Sequence, residues 1–213
     1  MPIDMNREYR RIDVRNIEAR EAEDGQMIVE GYATTFNKPY TLMEDKRGVL
    51  DEQVDARAFD ETDMSDVIMQ YDHQGRVFAR VRNNTLEITP DEHGLKIRAF
   101  LGGTQIGRQL YEEISGGYTD RMSFGFTVAE DSVQRGKTDD GRAKILRTIK
   151  KIGKLFDVSA VSIPANDTTE ISARSIGDGL IADAMKEFQA EEERAKRIEE
   201  IRNILKGEQN HDE

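Results

Sequence analysis

Cysteine is absent from the 213-residue chain, and histidine occurs only three times. Without cysteine the chain cannot form disulfides, use a thiol nucleophile or bind zinc through thiolates, and its absence fits a reducing compartment. No apolar run approaches the ~18 residues of a membrane-spanning helix, and the N-terminus lacks the hydrophobic core of a secretory signal. We therefore predict a soluble protein that is not exported and has no membrane partner.

Positive charge is also in short supply, because 31 basic residues stand against 42 acidic ones and the net charge is −11. Such a surface repels the phosphates of nucleic acids and anionic membranes, so no nucleic-acid partner is expected. Apolar residues make up 37% of the chain and charged residues 34%. This composition allows one core but predicts exposed segments, and the length suits one domain with an appendage.

Short alternating or β-branched segments recur up to about residue 175 and predict a mainly β fold with peripheral helices. Strands are predicted at residues 8–14, 27–36, 67–71, 85–88, 95–100, 122–128, 143–152 and 155–163. This spacing favours a barrel or sandwich over a βαβ sheet. Residues 45–66 are predicted to form an acidic loop with a helical turn, and residues 131–142 a long hairpin loop.

Two helices are predicted. The first begins after Thr104, which can cap it, and ends at Gly116. The second is a charged amphipathic helix over residues 183–206, where glycine and proline are missing. Because the composition changes there, we expect a β domain over residues 1–174, followed by a junction and a charged helix and tail over 175–213. The junction, residues 171–177, is predicted to be flexible.

Serine chemistry is a hydrolytic option for a chain without cysteine, and a serine nucleophile usually needs a histidine base. His211 lies among the last three residues and His93 lies in a predicted turn, so His73 is the candidate base. Ser123 lies in an apolar strand near Gly125, which could let a substrate backbone approach or help to present amide donors to an oxyanion. A strand-end histidine and a strand serine can equally be structural.

Asp157 lies in another apolar strand, where a buried carboxylate needs a partner. A histidine N–H is one such partner, and that contact would fix the tautomer needed for general-base catalysis. Exposure on the polar face of the strand is the alternative. Asp72 is a weaker candidate for the same role, because it is the neighbour of His73 and strand neighbours point to opposite faces.

Metal and cofactor motifs are incomplete. Gly136-Lys137-Thr138 lacks the upstream glycine of a P-loop, and Asp139-Asp140-Gly141 lacks the ligand pattern of an EF-hand. The acidic residues between 51 and 66 could hold a divalent cation, but a solvated loop is the favoured interpretation. We therefore predict no cofactor and no metal.

Six segments, taken in order, resemble the prohead protease family of tailed bacteriophages. They are EGYATTF (30–36), ARAFD (56–60), VIMQYDHQ (67–74), GLKIRAFL (94–101), GGYTDRMSFGF (116–126) and FDVSAVSIPAN (156–166). The resemblance implies a fold similar to herpesvirus assemblin, a closed or nearly closed antiparallel β-barrel with peripheral helices. It also implies a catalytic triad of His73, Ser123 and Asp157, although many relatives carry glutamate at the third position.

The function that the resemblance implies is that of a serine endopeptidase inside the assembling prohead in the bacterial cytoplasm. Its substrates would be scaffold protein or the scaffolding extension of the major capsid protein, and the protease itself. The C-terminal helix would recruit the enzyme to scaffold or pair with a second copy. Two alternatives stay open: a non-catalytic structural capsid assembly protein on the same fold, and an unrelated small β-barrel hydrolase or binding module.

Overall fold

The computed structural model describes residues 7–11, 17–23, 25–161 and 167–208, which contain eleven strands and two α-helices. The strands are β1 (Arg7–Arg11), β2 (Ile17–Glu21), β3 (Met27–Thr35), β4 (Tyr40–Glu44), β5 (Gly48–Val54), β6 (Ile68–Tyr71), β7 (Gln74–Arg80), β8 (Leu86–Pro90), β9 (Gly94–Phe100), β10 (Arg121–Lys137) and β11 (Ala143–Val161). The helices are α1 (Gln105–Ser115) and α2 (Asp167–Glu208). The prediction of a mainly β fold with helices is confirmed. Within the described ranges no helix is both long and apolar enough to span a bilayer.

Two sheets carry these strands. The larger has the order β1-β10-β11-β5-β4, with β6 beside the second half of β11 and β7 beside β6. The smaller has the order β2-β3-β9-β8. Neither sheet closes on itself in the described residues, so the closed barrel is not confirmed.

The antiparallel arrangement that the resemblance implies does not hold throughout, because β5 and β6 both run parallel to β11. Parallel neighbours need a crossover connection rather than a hairpin, and hydrophobic alternation carries no information about strand direction. The predicted loop at 131–142 is also wrong in part, since β10 continues to Lys137. The two strands predicted at 143–152 and 155–163 form one strand, β11.

Apolar side chains from both sheets and from α1 form the main core. Phe124 and Phe126 stack with their ring centroids 4.5 Å apart, and both are fully buried. Helix α1 begins where predicted, because the Thr104 hydroxyl accepts a hydrogen bond from the amide of Gly107 at 3.0 Å. The core therefore supports β10 from one side.

A buried charge network fixes β1 at the edge of the larger sheet. The Arg10 guanidinium donates to Glu52 at 2.5 and 2.9 Å and also contacts Glu8. Arg147 donates to Glu8 at 2.8 Å and to Glu52 at 3.0 Å, and the Tyr40 hydroxyl donates to Glu52 at 2.6 Å. Burial alone would raise the pKa of Glu52, but the charge and hydrogen bond of Arg10, the charge of Arg147 and the hydrogen bond from Tyr40 lower it.

Helix α2 is longer than predicted, because it begins at Asp167 rather than near residue 183. It includes residues 171–177, which are therefore helical, and the flexibility expected of this junction stays a prediction. Ile181 and Ala184 are fully buried in a second apolar cluster with β5 and β11. Gly177 allows the close approach, since a Cβ there would lie 2.8 Å from the Met43 side chain. The domain boundary at 174 stays a prediction.

Candidate active site

Strands β10 and β11 present small and acidic side chains on one shared face. Ser123 is paired with Ser159 in the antiparallel register, and Gly125 with Asp157. Directly paired residues point to the same face, and so do residues two apart on one strand. Ser123 and Asp157 thus share a face although they are 34 positions apart in the chain.

His73 reaches this face from the hairpin between β6 and β7. The hairpin turn consists of Asp72 and His73, which have φ values of 47° and 58°. Positive φ at both central residues is the requirement of a type I′ turn, whose twist matches that of the flanking strands. Because β6 runs parallel to β11 with Tyr71 beside Ala160, the turn carries His73 to the Ser123 side of Asp157.

The three predicted residues come together in one hydrogen-bonded chain. His73 Nδ1 lies 2.5 Å from Asp157 Oδ1, and His73 Nε2 lies 2.6 Å from Ser123 Oγ. An ionised carboxylate can only accept a hydrogen bond, so Nδ1 donates its proton to Asp157. In the neutral imidazole, Nε2 is then free to accept the proton of the Ser123 hydroxyl.

Asp157 is fully buried. Burial acts to raise its pKa, but the hydrogen bond and charge of His73, the charge of Arg7 and a hydrogen bond from Ser159 together lower it. Oδ1 accepts from the Ser159 hydroxyl at 2.8 Å as well as from His73, whereas Oδ2 contacts Arg7. Each carboxylate oxygen therefore has its own partners.

Strand β1 covers the opposite side of the site. The Tyr9 ring meets the His73 imidazole edge to face, with centroids 4.5 Å apart. The Arg10 carbonyl lies 2.8 Å from Ser123 Oγ and is a second acceptor for its proton. A single hydroxyl proton cannot serve both acceptors, so Ser123 donates either to His73 or to Arg10. Ser123 is only 2% exposed beneath these neighbours.

A comparison with protein families identifies the class of the protein. Residues 12–180 match the profile of the family described as caudovirus prohead serine protease. The chain belongs to this family. Among solved structures, the capsid assembly protease of bacteriophage T4 is similar, with a TM-score of 0.40 and 13% sequence identity over 73% of this chain and 95% of that chain. No curated protein matches. Family membership makes the chain a serine protease of phage capsid maturation.

Gly125 makes room inside the site of this prohead protease. A Cβ at this position would lie 2.5 Å from Asp157 Oδ2 and 2.9 Å from both Arg7 and Tyr9. The missing side chain leaves room for the Asp157 carboxylate and its partners. The approach of a substrate backbone and the presentation of amide donors to an oxyanion stay predictions.

A cavity of about 630 Å³ lies between the β6–β7 hairpin and α1 of the protease. Tyr71, Asp72, Gln74 and Gly75 line it, so it adjoins the turn on both sides of His73. Helix α1 contributes Leu110 and Glu113, among others. This mixed apolar and polar cavity has the dimensions of a site for a few side chains.

Other sequence-predicted residues lie apart from the triad. His93 lies in the turn between β8 and β9, with 63% of its side chain exposed. His211 lies outside the described residues. The acidic residues of the 51–66 segment pair with protein partners: Asp51 with Thr41, Asp55 with Lys150, Asp60 with Arg57, Asp63 with Lys154 and Asp66 with Arg80. No cluster of three or more metal-ligating side chains occurs in the part of the chain that the structure describes.

The sequence analysis did not identify Arg7 and Tyr9 as members of the site. Both lie on β1, whose alternation predicted a strand at 8–14 but gave no indication of its neighbours. Only the antiparallel pairing of Tyr9 with Gly125 brings their side chains to Asp157 and His73. A prediction of this contact would have required the order of strands in the sheet.

Proposed function

We propose that the protein is a serine endopeptidase in which Ser123 is the nucleophile, His73 the general base and Asp157 the residue that orients the imidazole. The observation that carries the proposal is the unbroken hydrogen-bonded chain of these three side chains, with the distances given above. The buried, charged Asp157 supports the role given to it, because it holds the tautomer of His73 that has a free Nε2.

The reaction follows from this geometry. Ser123 Oγ attacks the carbonyl carbon of the scissile peptide bond while His73 Nε2 takes its proton. Asp157 stabilises the resulting imidazolium. The tetrahedral intermediate collapses, the C–N bond breaks, and His73 returns the proton to the leaving amine. Water then attacks the acyl-enzyme, with His73 again acting as base, and releases Ser123 and the carboxylic acid product.

Aspartate in place of glutamate at position 157 is compatible with this role. Its carboxylate is one methylene shorter, yet Oδ1 reaches His73 because the turn carries the imidazole down to the strand face. This approach requires a left-handed backbone conformation at Asp72 and His73, which is energetically unfavourable for residues other than glycine.

The substrates that we propose are scaffold protein or the scaffolding extension of the major capsid protein, cleaved inside the prohead, together with the chain itself. The cavity beside the His73 turn would accept substrate side chains next to the cleaved bond. Helix α2 would recruit the protease to scaffold or pair with a second copy. We further propose that the two sheets belong to a barrel of the assemblin type.

Co-expression with the capsid and scaffold proteins of the same phage tests this function. We expect intact-mass spectrometry to show shortened products with the wild type and none with Ser123→Ala. The new termini would identify the cleavage sites and show whether the protease cuts itself. Full-length masses in both samples, despite assembled shells, would contradict the proposal.

A non-catalytic structural role on the same fold is a second candidate, and the burial of Ser123 favours it. A structural protein would give assembled shells whose composition is the same with the wild type and with Ser123→Ala. The two candidates therefore differ in the same experiment.

A further inference from the structure

The Asp157 carboxylate has a second cationic neighbour besides His73. The Arg7 guanidinium forms an ion pair with Oδ2, whereas His73 and Ser159 occupy Oδ1. We propose that Arg7 is a positioning residue of the protease, which holds the Asp157 carboxylate in the orientation that His73 needs. This inference rests on the proposed function, because it concerns the same triad.

The structure places Arg7 firmly. Its guanidinium lies over two aromatic rings, 4.5 Å from the centroid of Phe156 and 4.9 Å from that of Tyr9, and its Nε is buried without a hydrogen-bond partner among the described residues. Such contacts stabilise a planar cation and restrict its rotation. The side chain is 23% exposed, so water screens the charge only in part. An arginine held in this way can act through the orientation of its partner.

The surroundings of Arg7 are arranged for this contact. Gly125 leaves the space that the ion pair occupies, because a Cβ there would lie 2.5 Å from Oδ2 and 2.9 Å from Arg7 Nη2. On the opposite face of β1, Arg10 is fixed by the buried network with Glu52. Strand β1 is thus held through Arg7 on one face and Arg10 on the other, which sets the position of Arg7 relative to Asp157.

Two consequences for catalysis follow. Without Arg7, Oδ2 would be a buried oxygen with no cation beside it, and the carboxylate could turn away from His73. Arg7 also offsets part of the negative charge of Asp157, so the carboxylate beside the imidazole would be more strongly negative without it. Other ionisable groups beside Arg7 and His73 are Tyr9 on β1, Lys154 on β11 and Asp72 in the β6–β7 turn, and all three are kept in the experiment.

The experiment measures how fast a fluorophosphonate probe labels Ser123 in the full chain between pH 5 and pH 9. For Arg7→Gln we expect the maximal labelling rate to fall about tenfold, a fraction of the 10²–10⁴ that acid–base catalysis contributes. The pH at which labelling reaches half its maximum should also move upward. Arg7→Lys keeps the charge, so it should keep the wild-type half-maximal pH. A loss of structure alone would not shift this pH.

Arg98→Gln is the matched control, because Arg98 stacks on Phe100 at 5.1 Å and pairs with Glu30 at 3.2 Å in the other sheet. It should label like the wild type. Wild-type rate and wild-type half-maximal pH in Arg7→Gln would overturn the role of Arg7 and leave the triad intact. If Arg7→Gln does not fold, an altered half-maximal pH in Arg7→Lys would overturn it. Absence of labelling in the wild type, equal to Ser123→Ala, would instead contradict the proposed function.

Discussion

At the scale of single residues, the space left by a small side chain matters to the site as much as the functional groups that other side chains provide. Asp157 is useful because its burial is compensated by His73, Arg7 and Ser159, and its pKa is lowered in spite of that burial. Gly125 contributes only space, yet the carboxylate and Arg7 need that space. We therefore expect the site to be as sensitive to an added methyl group at Gly125 as to the loss of a functional group.

Gly125→Ala tests this sensitivity. The new Cβ would overlap Asp157 Oδ2, so we expect a loss of about 1–3 kcal/mol in the free energy of unfolding and a clear drop in proteolysis. Gly136→Ala on the same strand is the control, since nothing lies within 4 Å of a Cβ at that position. Urea unfolding and the co-expression assay measure the two effects. Equal stability and equal proteolysis in both variants would contradict the steric argument.

At the scale of elements, strand β1 connects the site to the core. One face carries Arg7 and Tyr9 to the triad, and the other carries Arg10 into the network with Glu52, Glu8 and Arg147. Because both faces belong to one strand, a change in the network should shift β1 and so move the side chains of Arg7 and Tyr9 that contact the triad. Glu52 lies on β5 and hydrogen-bonds Arg10, Arg147 and Tyr40 rather than a triad residue, so a substitution there tests the contribution of the network to stability.

Glu52→Gln removes the central charge of the network and leaves Arg10 and Arg147 without their shared carboxylate. Removal of one member of a buried ion pair is costly, and we expect about 3 kcal/mol of lost stability in urea unfolding at neutral pH. Lys151→Gln breaks the exposed pair with Glu61 and should leave stability unchanged. A network that stabilises nothing would give equal unfolding midpoints for the two variants.

The pH dependence of this effect has a defined sign. The folded-state pKa of Glu52 is lowered, so its contribution is complete above the unfolded value of about 4.3 and is lost as the pH falls through the folded value. The stability advantage of the wild type over Glu52→Gln should therefore shrink in acid. Asp157 acts in the same direction.

The sequence analysis predicted the elements whose hydrophobic pattern matches their burial. It missed elements in which a charged residue occupies a position where the pattern requires an apolar one. Strand β5 lies in the segment 45–66, which was predicted to be a loop because it is polar and acidic. Glu52 occupies one of the four buried positions of β5, where Arg10, Arg147 and Tyr40 supply its partners. Strand β7 was missed because most of its residues are exposed. The three triad candidates came from residue chemistry and family resemblance, but Arg7 depends on strand order, which the sequence does not encode locally.

At the scale of the whole molecule, helix α2 divides into two parts with different surroundings. Its inner part buries Ile181 and Ala184 against β5 and β11, and Lys137 reaches Glu192 at 3.0 Å. Farther along, Ile198, Ile201 and Ile204 are each about half or more exposed. The inner part belongs to the folded protease, and the outer part presents apolar side chains that our proposal assigns to scaffold or to a second copy.

Two shortened chains separate these parts. A chain that ends at Arg174, the predicted domain boundary, loses Ile181 and Ala184 and exposes the apolar residues beneath them. We expect its stability to fall by at least about 2 kcal/mol, because a fully buried isoleucine alone contributes an amount of this order. A chain that ends at Glu193 keeps these contacts and the pair with Lys137, so its urea unfolding should match that of the full chain. Equal stability of both shortened chains would show that the inner part does not belong to the protease domain.

The chain that ends at Glu193 also tests the role of the outer part of α2. If this chain is stable and labels at Ser123 but is missing from purified proheads, the outer part of α2 is the recruiting element. Normal incorporation of this chain into proheads would contradict that assignment.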